Sequence, residues 1–328
     1  MPPRRFILNL FLILGCAILV IEIVSVLPIT LERWRPFDYG QYVEMGRAVL
    51  QGVNPNGTHN YYPLPTILWV FVPLALLPDG FRILWVLGPL VSILVLFRKQ
   101  GLVLFLFVPL WLVVSDGMLD GWLLLPLAVL LTNRPGWAGF CAAIVLFKPQ
   151  LAFLAVAYKI VEWLILKDWK NLGIFFSAMA IFYAPAFIIN PNWIMQMLQF
   201  LPGRLAQTTT LAPALSGSIW AWWSLGGWAS VMGVFLLVIT LGLFLRAFEY
   251  SSKRATALLL LGLAINPVLF GSNQTLLLPV LQNRRQMILV VLISLGALLL
   301  DKMAGNFGGG YALIPITMLY FQRVGKQQ

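Results

Sequence analysis

"FDYGQYVEMGRAVLQGVNPNGTHNYYPLP", Phe37 to Pro65, is the longest polar stretch near the start of a chain that otherwise reads as lipid-soluble. Around it the composition decides the class. The chain has 328 residues, 60% of them hydrophobic and 10% charged, with a mean hydropathy of +0.89. Those shares lie far from the averages of soluble globular domains. Repeated apolar runs long enough for helices, with no ten-residue alternation, predict an all-α, polytopic transmembrane bundle and favour it over an outer-membrane barrel. The chain reads as one integral membrane domain over 1–328, with no room left for a soluble one.

The net charge of +11 sits in short clusters between apolar runs. There it sets topology and does not mark a nucleic-acid surface, so no nucleic-acid partner is expected. Cys16 and Cys141 both lie inside apolar runs, and His59 is the only histidine, so neither a disulfide framework nor a metal site is indicated and no cofactor is expected. The first apolar run, 6–29, is too long for a signal-peptide core and lacks a small-residue cleavage site, which predicts a retained span.

Placing the Lys and Arg clusters on one face yields about 12 spans. They cover 6–29, 82–97, 101–115, 120–132, 136–148, 150–166, 172–189, 228–246, 255–270, 273–283, 286–300 and 308–321. Both termini are then cytoplasmic, in a cell (inner) membrane protein. Glu32, Asp38, Glu44, Asp79, Asp116, Asp120 and Asp301 collect on the opposite face. Parity requires the proline-bounded "PLPTILWVFVPLALLP", 63–78, to be re-entrant. Spans near 120–132, 136–148 and 273–283 fall short of the roughly 20 residues of a perpendicular helix, so they need surrounding protein or a water-filled cavity.

Within the opening stretch, Tyr42, Met45 and Val49 recur at helical spacing and Gly52 closes the run, which predicts a short amphipathic helix on the membrane surface. Asp38 reads equally as its N-cap, with Gln41 three residues on, or as a carboxylate at a cavity rim able to act as general base. Asn56-Gly57-Thr58 and Asn273-Gln274-Thr275 match the glycan-acceptor pattern.

The order "DYGQYVEMGRAVLQGVNPN", "YYPLP", "PLALLP" and then a short helix ending in "FKPQ", over Asp38 to Gln150, resembles the membrane glycosyltransferases of family 87. The resemblance implies the C-type glycosyltransferase fold, a polyprenyl-phosphate sugar donor and a lipid or glycan acceptor, with membrane lipids around them. It implies that Asp38 deprotonates the acceptor hydroxyl in an extracytoplasmic first loop, and that Lys148 of "FKPQ" contributes to the lipid-phosphate pocket. The chain departs from the pattern by carrying Asp120-Gly121-Trp122 in place of a Gly-Gln pair. It departs again by offering Asn273 and Gln274 where an aromatic or histidine is common.

Further substrate-binding candidates are Asp120, with Asp116, for sugar hydroxyls; Tyr61 and Tyr62 beside the loop; Arg204; and Asn273 and Gln274. Arg82 and Lys302 read as interface anchors, and Trp220, Trp222, Trp223 and Trp228 as an interfacial belt. Lys159 and Glu162, three apart, read as an ion pair, whereas Glu22 shows no evident partner in the sequence. Two other classes fit a chain of this kind: a secondary transporter or flippase, and a non-catalytic subunit of a membrane complex. The absence of Rossmann and P-loop fingerprints agrees with a lipid-linked donor rather than a nucleotide sugar.

Overall fold

The computed structural model describes residues 37–52, 65–78, 80–189, 216–250, 253–266, 269–304 and 307–324, with a few isolated positions besides. The expected first span, 6–29, the residues Tyr61, Tyr62, His59, Asp79 and Arg204, and the Asn56 sequon lie outside them. Among the described residues the secondary structure is helical, with an isolated antiparallel bridge between Ser216 and Phe270. Three helices are long and apolar enough to cross a membrane: Phe81–Leu106, Gly227–Phe248 and Arg284–Met303. A fourth crossing is possible by length if Val108–Asp116 and Leu119–Leu131, bent by 116° at their junction, count together.

The polar stretch folds as α1 (Phe37–Leu50), followed by α2 (Pro65–Leu76). Gly52, at φ 69°, occupies the left-handed region that ends such a helix. The sequence reading laid the apolar stripe of α1 on the membrane surface, and here the structure differs. Tyr42 and Met45 are wholly buried, and α1 packs on α2. The stripe is satisfied by protein because α2 supplies Phe71 and Leu74 to the same core. At 12 residues, α2 is about 18 Å long, well short of a hydrocarbon core of roughly 30 Å.

Beyond these come α3 (Phe81–Phe97), α4 (Val108–Asp116), α5 (Leu124–Leu131), α6 (Trp137–Val145), α7 (Pro149–Ile165) and α8 (Trp169–Ile189). After the described gap follow α9 (Trp220–Ser224), α10 (Gly227–Phe248), α11 (Arg254–Ile265), α12 (Arg284–Met303) and α13 (Leu313–Val324). From Phe81 onward these helices fall on the expected segments, except that α9 has no counterpart among them and that α4 begins only at Val108, after a 3-10 stretch. Arg98, with φ 51°, ends α3, and a 3-10 stretch continues to Leu106 where the sequence reading turned the chain back. The expected break is present: a Cβ on Gly101 would lie 3.0 Å from Ile93 Cγ2, eight residues back, so the 26-residue apolar segment bends back after Arg98.

One of the short segments is sheltered along its whole length. The 3-10 helix Gly271–Val280, "GSNQTLLLPV", is buried at every position except Pro279. The i to i+3 bonding of a 3-10 helix has poorer geometry than that of an α-helix, and here protein rather than lipid surrounds it. By contrast, α10 turns Trp228, Val231, Phe235 and Val238 outward, the disposition of a helix whose partner is lipid.

Candidate functional site

The elbow after α4 builds the site. Its sequence "SDGMLDGW", 115–122, places Gly117 at φ 66°, and the amides of Gly117 and Met118 close onto the carbonyls of Val114 and Val113. The helix therefore stops with Asp116 as its last residue, and the chain re-enters as the 3-10 turn Leu119–Leu123 carrying Asp120. Gly121 is required for closeness: a Cβ there would lie 2.1 Å from the Pro89 side chain of α3. The elbow is thus pressed against the protein, and Asp120 has no exposed surface.

A buried carboxylate is tolerable only if its charge and lone pairs are met. Lys148 Nζ donates to Asp120 Oδ1 at 2.7 Å, and Asn273 Nδ2 donates to Oδ2 at 2.5 Å. Asn273 in turn accepts from the Phe270 amide at 2.8 Å, which orients its side-chain amide. Three segments far apart in sequence are joined here: the elbow, the "FKPQ" turn and the buried 3-10 helix. Gln274, the neighbour of Asn273, is also buried but has a different task. Its Nε2 donates to the carbonyls of Gly217 at 2.8 Å and Leu263 at 3.0 Å, tying the 3-10 helix to α11 and to the segment before α9.

Asp38 approaches from α1. It lies in the first turn, where a negative charge favours the helix dipole, and not at the N-cap position suggested by the capping pattern. Its Oδ2 accepts from Tyr42 Oη at 3.3 Å, one turn along the helix. The same hydroxyl accepts from the Leu119 amide at 3.4 Å, so α1 is tied to the elbow. The Tyr42 ring stacks on Phe71 with centroids 4.2 Å apart and meets Trp85 edge-on at 6.0 Å. Trp85 Nε1 donates to the Gly117 carbonyl at 2.8 Å, which holds the elbow from its other side. Tyr42 was missed as a site residue from the sequence, although an Asp followed four residues later by a Tyr is a legible one-turn pair.

Burial pushes the Asp38 carboxyl above its ordinary range; the Lys148 ammonium opposes this, the Asp120 charge adds to it, and the Tyr42 hydroxyl opposes it. Asp116 also feels the charge of Asp38. Asp38 thus stands between the charges of Lys148 and Asp120 on one side and that of Asp116 on the other. Among the described residues no three acid, histidine or cysteine side chains gather in a metal-holding group.

Lys148 occupies the position just before α7, with Pro149 opening the helix. Beside it lies an apolar groove of about 330 Å³, walled by Leu151, Ala152 and Phe153 of α7 and Leu258, Gly262 and Ile265 of α11. Its polar end is closed by Asn266, whose Nδ2 donates to the Gln150 carbonyl at 2.6 Å. The groove is apolar along both helices, with Gln150 and Asn266 as its polar lining.

The structure thus brings together Asp38, Asp120, Lys148 and Asn273, with Gln274 behind them. Asp120, expected to meet sugar hydroxyls, is wholly buried, with Lys148 on one oxygen and Asn273 on the other. Lys159 and Glu162 pair at 2.5 Å as their spacing suggested. Of the tryptophans, Trp228 is 88% exposed, Trp220 and Trp223 stack in the open, and Trp222 donates to the Gly309 carbonyl and packs inward. Comparison with family models, with curated proteins and with solved structures finds no match to this chain.

Proposed function

We propose that this protein is a membrane glycosyltransferase that moves a hexose, mannose or a related sugar, from a polyprenyl-phosphate donor to a lipid or glycan acceptor. The finer architecture belongs to the same proposal: about 12 spans in the C-type glycosyltransferase arrangement, multi-pass in a cell membrane, with both termini cytoplasmic and the site on the extracytoplasmic face. One observation carries it. A carboxylate held in the less acidic range, Asp38, stands in the electrostatic field of Lys148, the residue that precedes the helix walling an apolar groove.

Each part has a chemical task. The acceptor hydroxyl oxygen attacks the anomeric carbon of the donor while its proton passes to Asp38. The bond from that carbon to the phosphate oxygen breaks, and polyprenyl phosphate leaves with the electron pair. A carboxylate whose proton affinity is raised by burial is a better base near neutral pH than an exposed one. Lys148 offsets the charge that builds on the departing phosphate. The groove between α7 and α11 takes the isoprenoid chain, which is apolar and enters from the bilayer side. Tyr42 keeps Asp38 aimed by fixing α1 to the elbow.

The test is transfer of mannose from polyprenyl-phosphate mannose to a membrane-lipid extract by the full chain in lipid nanodiscs. Wild type is expected to transfer and Asp38→Asn to lose transfer while remaining folded. Equal transfer by both removes Asp38 as the base. No transfer from this donor by wild type, with other polyprenyl-phosphate hexoses also inert, sinks the enzyme reading.

A further inference from the structure

The Lys148–Asp120 contact poses a difficulty for an anion site. A lysine already engaged by a carboxylate at 2.7 Å meets an incoming phosphate with much of its charge offset. The two partners are not equally movable. Asp120 has no exposed surface and is held on its far oxygen by Asn273, itself locked by the Phe270 amide. Lys148 retains 11% side-chain exposure and reaches on a flexible four-carbon stem. When a phosphate arrives at Lys148, the ammonium can shift toward it while the carboxylate stays.

We propose that Asp120 is a positioning residue and built-in competitor for the lipid phosphate at Lys148, clamped by Asn273 so that phosphate affinity is held down and the product can leave. This rests on the reading that Lys148 receives the phosphate. The chemistry explains why such a competitor is useful. The donor is a phosphodiester with one negative charge, whereas the product is a monoester that gains a second charge over part of the neutral range. A lysine with no fixed counter-charge in contact would hold the product more tightly than the donor and stall turnover. A carboxylate anchored beside it lowers the affinity for both ligands and the dianion most.

Opposite signs from two neighbouring substitutions separate this role from a structural one. In Asp120→Asn the contacting counter-charge is gone, and phosphate affinity rises. In Asn273→Leu the carboxylate loses a hydrogen bond that shares its charge, pulls harder on Lys148, and phosphate affinity falls. Loss of structural support would weaken binding in both.

The experiment measures binding of undecaprenyl phosphate to the full chain in nanodiscs, with undecaprenol and inorganic phosphate as separate arms for chain and headgroup. Undecaprenyl phosphate is expected to bind wild type at least tenfold more weakly after Lys148→Met. It should bind about tenfold more tightly after Asp120→Asn and several-fold more weakly after Asn273→Leu. Unchanged or weaker binding by folded Asp120→Asn overturns the competitor role, and so does unchanged or tighter binding by Asn273→Leu. If Asp120→Asn does not fold, Asp120→Ser, which also removes the counter-charge, takes its place with the same expected tightening. If wild type and Lys148→Met bind alike, the anion site itself is misplaced, and the functional reading loses its phosphate residue together with this inference.

Discussion

Replacing Lys148 by Met removes the ammonium that lies 2.7 Å from a carboxylate with no exposed surface. Breaking a buried pair from one side costs roughly 3–5 kcal/mol, because the remaining charge is left in a poorly solvated place. Asn273 still donates to Asp120 after the change, so the lower end applies, about 3 kcal/mol. That corresponds to roughly a 100-fold shift in the folding equilibrium. Adding Asp120→Asn to Lys148→Met removes the stranded charge, and the double variant is expected to recover most of the loss. Reversible unfolding in mixed micelles, followed over a denaturant series for wild type, both single variants and the double, gives the coupling directly. A cost below about 1 kcal/mol for Lys148→Met would refute the reasoning, since losses of that size are typical of solvated pairs.

Three further outcomes follow from the same geometry. Because burial raises the folded-state proton affinity of Asp38, its ionised form disfavours the folded state; the cost is absent below its ordinary value of 3.8 and grows as pH rises through the raised one. Asp38→Asn is therefore expected to unfold no more readily than wild type near neutral pH, with the difference vanishing in acid; unfolding curves at two pH values check this. Gly139→Ala places a Cβ 2.2 Å from the Asn171 carbonyl of α8, so the α6–α8 contact must open. A loss of about 1–3 kcal/mol in the same unfolding assay is expected. Gly262→Leu projects into the groove, where the nearest atom to its Cβ is Leu154 Cδ1 at 3.8 Å. It should leave stability nearly unchanged while reducing undecaprenyl phosphate binding several-fold, and unaltered binding would exclude that groove for the lipid chain.

Much of this was readable from residue order because helix-forming apolar runs declare themselves. The limits of α7, α8, α10 and α12 fall within a few residues of those expected. Two features were not. The stripe Tyr42–Met45 shows that α1 has an apolar face but not whether lipid or α2 covers it, since both satisfy the same periodicity. Beyond Arg98, the segment expected as one span over 101–115 is a 3-10 stretch to Leu106 and then α4 from Val108, a division that an unbroken apolar run conceals. For the site, Asp38 and Lys148 came from a resemblance in motif order, and Asp120 and Asn273 were named as separate substrate contacts. That they meet each other at 2.5 Å across 153 positions is a tertiary fact that no local spacing encodes.

The most direct measurement is glycosyl transfer from polyprenyl-phosphate mannose by the nanodisc-held full chain, wild type beside Asp38→Asn, with folding of both verified. Transfer by wild type that is lost in Asp38→Asn is the expected result. Equal transfer by the two would contradict Asp38 as the base. Failure of wild type with every polyprenyl-phosphate hexose tried would contradict the enzyme reading and return the transporter and membrane-subunit readings to first place.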